Sequence, residues 1–172
     1  MGRVTYDVPM VTQLQNPICW VTCMAMVASE RRGYSVGVGY YLNGFDPTNS
    51  SIGNQAPAWD TFYTRLDACG FNSVALNPIA SEVESTLRNC GPFILTHSCV
   101  GFPYGPGRAP ITAPNAMHAV VITGTDSSIS GGLCWMNNPW GDKDQPIATT
   151  AVLSAISTML ASNIRMVAYY RQ

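Results

Sequence analysis

Apolar positions recur at helical spacing in the first half of the chain and in short strand-like runs in the second. Trp20, Cys23, Met24 and Val27 fall on one helical stripe that Gly33 ends. Pro17 suits the first turn of that helix, where a missing N–H costs nothing, so Cys19 stands at the helix start. Residues 4–16 read as extended, and the Gly-, Asn-, Ser- and Tyr-rich residues 34–57 as irregular. The spacing predicts a second helix over 58–69, with Trp59, Phe62, Tyr63 and Leu66 on one side and Gly70 ending it, followed by a short strand over 71–76. Ser81 and Glu84 have capping-box spacing ahead of a third helix through Val83 and Leu87, which Gly91-Pro92 stops. Strands then follow at 93–96, 117–123 and 133–136, with a Gly/Pro-rich loop over 100–116. Thr149 or Thr150 can cap a late helix through Leu153, Ile156 and Leu160, and 165–170 alternates as a closing strand. Helices first and antiparallel strands second predict an α+β fold in one two-lobed domain, a helical lobe over 17–91 and a β lobe over 92–172. A cleft between lobes is a natural place for a site drawn from both.

Composition narrows the function. The 172 residues suffice for one domain with a proper core. Charged residues make up only 11% and the net charge is −1, without a basic run, which argues against nucleic-acid binding. No stretch approaches the ~20 apolar residues that span a bilayer, and residues 1–7 lack the apolar core of a signal peptide. A dedicated secretion route, or excision from a larger polypeptide, would leave no such mark. The six cysteines are expected to be reduced thiols. Cys19-x3-Cys23 and His97-x-Cys99 lack the spacing of structural zinc sites, so neither metal nor cofactor is expected.

The candidate chemistry is a cysteine hydrolase site. Cys19 supplies a thiol, His118 an imidazole, Asn138 an amide to orient that imidazole, and Gln13 an amide to bind an oxyanion. Free N–H groups and the positive dipole end at a helix start favour thiolate and are expected to lower the pKa of Cys19. Cys23, one turn later, lacks that setting. Only His97 competes with His118, since the chain has two histidines. Gln15 is the alternative to Gln13, and Asn137, Asp126 and Asp142 are alternatives for the orienting role.

With these residues the chain resembles the papain-like cysteine peptidases, and among them the compact bacterial group that includes the AvrRpt2 type III effector. The matching segments are Val8-Pro9-Met10-Val11-Thr12-Gln13 leading to Cys19-Trp20, Gly91-Pro92 within 87–95, Met117-His118 with the apolar run to Gly124, and Asn138-Pro139-Trp140. The order Cys, His, Asn is that of papain. The resemblance implies Cys19 as nucleophile, His118 as base, Asn138 as its orienter and Gln13 in the oxyanion hole. It makes Trp140 the shield of the His–Asn hydrogen bond, with Trp20 in a supporting place. The AvrRpt2 group usually has Asp at the position of Asn138, and an amide supports imidazolium less strongly.

The expected function is a cysteine endopeptidase acting on protein or peptide substrates. The resemblance adds a bacterial effector or toxin domain, delivered by a specialised system into a target-cell cytosol or otherwise cytoplasmic, with a cognate immunity or inhibitor protein as partner. Two other readings share the sequence: a cysteine amidohydrolase of another bond (peptidoglycan peptide, glutamine side chain or double-glycine leader), and a non-catalytic binding module on the papain fold.

Overall fold

Every residue from Trp20 to Ser29 is buried, so the first helix has no solvent face and must run through the middle of the molecule. The computed structural model describes residues 2–13, 18–42, 59–105, 108, 111–113 and 116–171. Gln15, Pro17 and residues 43–58 lie outside the described residues, as do the side chains of Trp59 and Phe62. The elements are β1 (Arg3–Thr5), α1 (Cys19–Arg32), α2 (Val38–Leu42), α3 (Trp59–Ala68), β2 (Phe71–Val74), α4 (Ala80–Cys90), β3 (Phe93–Ser98), β4 (Met117–Asp126), β5 (Leu133–Asn138), β6 (Asp142–Ala148), α5 (Thr149–Ala161) and β7 (Val167–Tyr170). Together they make a single domain of helices and one antiparallel sheet, as the order of patterns predicts.

Among the described residues the sheet runs β2-β7-β3-β4-β5-β6, with β1 added beside β4. Alternation along the central strands sorts their side chains to two faces. Ile94, Ala119, Val121 and Ala168 pack on α1, while Phe93, Leu95, Val120, Ile122 and Val167 pack on α4 and α5 through Val83, Leu87, Val152, Ile156 and Met159. The sheet is therefore buried on both sides, which is why β4 reads as an unbroken apolar run. Gly124 allows β1 to cross: a Cβ there would stand 2.6 Å from the Val4 carbonyl oxygen. Gly33 ends α1 with φ 70°, its N–H bonded to the carbonyls of Ser29 and Glu30.

Several local expectations are corrected. Ser81 and Glu84 form no capping box, because α4 begins at Ala80 and Ile79 stands at its cap without a side-chain bond. Glu82 instead holds the preceding turn, accepting from the Asn77 N–H and side-chain amide, and Glu84 pairs with Arg88. Thr149 is the first residue of α5 rather than its cap, buried with its hydroxyl 3.5 Å from the Cys134 sulfur. Residues 142–148 form an edge strand that the polar sequence Asp-Lys-Asp-Gln-Pro does not announce, and 38–42 form a short helix within the stretch read as irregular.

Candidate active site

Cys19 is the first residue of α1, which packs on β4 so that the residue after His118 meets the thiol. The backbone amides of Ala119 and Trp20 donate towards the Cys19 sulfur. His118 opens the buried part of β4, with its Nε2 2.9 Å from Asn138 Oδ1. The neutral ring therefore donates from Nε2 and keeps the Nδ1 lone pair as acceptor. Asn138 ends β5, and its Oδ1 also accepts from the Trp140 N–H at 3.2 Å.

Asn138 is held from its other end. Its Nδ2 donates to Asp142 Oδ2 at 2.9 Å, and Arg108 binds both Asp142 oxygens, with Nη2 2.9 Å from Oδ1 and 3.0 Å from Oδ2. A carboxylate only accepts, so Asp142 fixes which way the amide points and aims its oxygen at the imidazole. Arg108 also donates to the Trp140 carbonyl and lies over the indole. Trp140 stacks on His118, with ring centroids 4.2 Å apart and planes inclined by 21°.

The rival residues are engaged elsewhere. Asn137, next to Asn138 but on the opposite face, donates to the Val8 carbonyl and accepts from the Asp144 N–H. Asp126 holds the Ser128 amide and hydroxyl in the β4–β5 turn. Asp142, weighed as an orienter itself, acts on Asn138 instead of on the histidine. His97 is fully buried with Nε2 2.8 Å from the Tyr104 hydroxyl. Gln13 is buried, and its backbone N–H donates to Pro139 O at 2.9 Å, pinning the glutamine segment onto the Asn138–Trp140 turn. Trp20 is buried in the core around α1.

The helix-start argument for a low thiol pKa is overturned. Burial pushes Cys19 up to about 11, against the smaller opposing pull of the Ala119 and Trp20 amides. Burial likewise lowers His118 to about 4, and the Asn138 hydrogen bond recovers only part of that. Taken singly, each group is pushed by desolvation towards its neutral form. Taking a single charge out of water outweighs a helix dipole that acts only over the first turn. Cys23, fully buried and without an amide donor, is raised well beyond the ordinary range.

Sequence reasoning missed the Arg108–Asp142 support and the packing of Tyr104 beside His118. Arg108 and Tyr104 lie outside helices and strands, in the Gly/Pro-rich stretch without periodicity, and Asp142, named above as an alternative orienter, opens the polar edge strand β6. All six cysteines carry free thiols, and among the described residues no group of three His, Cys, Asp or Glu side chains could hold a metal. Among the same residues no helix is long and apolar enough to cross a membrane.

Residues 3–154 match the family model described as papain-like cysteine protease AvrRpt2. Digestive procathepsin L 3 from the larval midgut of Tenebrio molitor superposes with a TM-score of 0.58 at 12% identity, over 100% of this chain and 70% of its own. A structure from work on antibody cross-reactivity between the mite allergens Blo t 1 and Der p 1 superposes with a TM-score of 0.55, also at 12% identity, over 100% of this chain and 71% of its own. No curated protein is significantly similar to the chain.

Proposed function

Since this chain belongs to the AvrRpt2 family of papain-like cysteine proteases, we propose that it is an endopeptidase that cuts protein substrates with Cys19, His118, Asn138 and Gln13. His118 takes the Cys19 proton on Nδ1 as the sulfur attacks the scissile carbonyl. The backbone N–H of Cys19 and the side chain of Gln13 stabilise the oxyanion. Collapse expels the amine, which leaves with the proton from His118, and the substrate acyl group remains as a thioester on Cys19. Water, deprotonated by His118, then attacks the thioester and restores the thiol. Because burial penalises either charge alone, thiolate and imidazolium form together, each offsetting the other's cost. The stacked indole of Trp140 presents its π-face to the developing imidazolium.

The observation that carries this reading is the hydrogen bond from His118 to Asn138, beside an Ala119 amide directed at the Cys19 sulfur. Its test is to treat the protein with iodoacetamide, map the adducts and follow cleavage of fluorescent casein. One fast adduct on Cys19, with casein cleavage lost in Cys19→Ala, supports the assignment. Cys69 and Cys90 are also partly exposed, so equal labelling of these and Cys19, with cleavage intact in Cys19→Ala, would overturn it. Sacculi, a double-glycine leader and free glutamine side chains serve as competing substrates in the same assay.

The Asp142 support has its own expected result. In Asp142→Ala the buried Asn138 amide loses its acceptor, a cost of about 1–2 kcal/mol, which appears as a roughly tenfold fall in kcat. Asp142→Asn keeps an oxygen for Nδ2 and loses less. Equal kcat in Asp142→Ala and wild type would exclude that support.

Family membership also motivates a biological setting, that of a bacterial effector or toxin acting in a foreign cytosol and restrained in the producer by a cognate inhibitor. Expression of the wild-type chain without inhibitor is then expected to arrest growth where Cys19→Ala does not. Full growth with both would refute toxicity.

A further inference from the structure

His97 is a buried polar side chain that the reaction above does not use. It sits directly across from His118 in the β3–β4 ladder, and the two rings stand 6.1 Å apart at 81°. An apolar residue would fill that sheet position without the desolvation cost of an imidazole. What the imidazole adds is hydrogen bonding. Nδ1 faces the Leu95 carbonyl at a long 3.4 Å and Nε2 lies 2.8 Å from the Tyr104 hydroxyl. A carbonyl only accepts, so Nδ1 carries the proton and Nε2 accepts from Tyr104. The Phe102 ring packs on His97 at 3.9 Å.

Tyr104 is thereby held against the site. Its ring centroid is 4.7 Å from Trp140 and 5.5 Å from His118, inclined to the latter by 75°. A single hydrogen bond from Nε2 to Asn138 leaves the His118 ring free to pivot about that bond. Trp140 on the face and Tyr104 at a steep angle remove that freedom. We propose that Tyr104, anchored by His97, is a positioning residue that fixes the His118 ring in the orientation Cys19 and Asn138 require.

Burial, and to a lesser degree the neighbouring His118, lower His97 to about 3. It therefore stays a neutral acceptor and brings no second cation beside His118 as that ring gains and loses its proton. The other titratable or charged groups around His118 are Cys19 from α1, Cys99 and Tyr104 after β3, and Asp142 and Arg108 acting through Asn138 and Trp140. The proposal rests on the peptidase reading and deepens it.

The test uses iodoacetamide on the full chain, with the second-order rate at Cys19 measured from pH 4 to 10. Tyr104→Phe keeps the ring and removes the hydroxyl that binds His97 and also meets the Cys99 thiol, so the His97 variants isolate the anchor. We expect about a tenfold slower reaction at neutral pH and a shifted acid limb, with an unchanged circular dichroism spectrum. His97→Leu is expected to lose as much, whereas His97→Gln, whose side-chain oxygen reaches about where Nε2 stands, restores most of the rate. The double variant Tyr104→Phe/His97→Leu should lose no more than either single one, because the pair acts as a unit. Folded Tyr104→Phe reacting at the wild-type rate with the wild-type acid limb would overturn the proposal, as would single losses that multiply or a His97→Gln no better than His97→Leu. Failure of the peptidase reading looks different: wild-type Cys19 would react no faster than free cysteine and be indifferent to His118→Ala, which removes both readings.

Discussion

Cys19→Ala and His118→Ala are each expected to lower kcat on fluorescent casein by about 10⁴-fold or more, with folding retained. Without the sulfur no thioester forms, and what survives is binding and the oxyanion donors acting on water. Without the imidazole the thiol, held at about 11 by burial, has no proton acceptor at neutral pH. His97 cannot take over, because both its nitrogens are engaged, by the Leu95 carbonyl and the Tyr104 hydroxyl. Asn138→Ala should be milder, about 10–100-fold, since it frees the ring without removing it. Asn137→Ala supplies the contrast: it unties the Val8 carbonyl and the Asp144 amide, so it should lower the melting temperature more than kcat. Turnover in His118→Ala within tenfold of wild type would rule out His118 as the base.

Acid is expected to destabilise the fold steeply, and the two histidines are the reason. Folded His97 and His118 titrate at about 3 and about 4, against about 6.5 when unfolded. Above pH 6.5 both states hold them neutral and nothing is lost. As the pH falls below 6.5 the unfolded chain binds protons that the folded one refuses, so stability drops continuously until the folded values are reached. By pH 4.5 each histidine costs about 2–3 kcal/mol, and the pair a large part of an ordinary folding free energy of about 5–15 kcal/mol. Glu84 and Asp126, lowered by their hydrogen bonds to Arg88 and Ser128, add to the loss only near and below their unfolded values, while Glu30, raised by burial, acts in the opposite sense. Urea midpoints at pH 7, 5.5 and 4.5 read the effect. His97→Gln should flatten the curve between 6.5 and 4.5 by about half, and a midpoint independent of pH over that span would refute neutral burial of both rings.

Much of this protein was legible where physics is local. Trp20, Cys23, Met24 and Val27 announce α1, and 117–123 and 133–136 announce buried strands, because periodicity records which side of an element meets the core. The thiol, imidazole and two amides were readable because few residue types can do that chemistry. Local reading failed at β6, whose polar residues pair with β5 at an edge and have only one neighbour strand to satisfy. It failed again at Ser81 and Thr149, where a capping residue was available but the helix began two residues and one residue, respectively, before the position that cap needed.

The chain by itself determined the class of fold, the family resemblance and the short roster of reactive side chains. Tertiary structure decided what those side chains experience. It separated Asn138 from its twin by the face each presents, and brought Asp142 and Arg108 in behind the amide. It set His97 and Tyr104 against His118, and turned the expected low-pKa thiol at a helix start into a half-buried one that desolvation raises to about 11. The reason is that hydrogen-bond partners and desolvation depend on which distant segments pack together, and no local spacing records that.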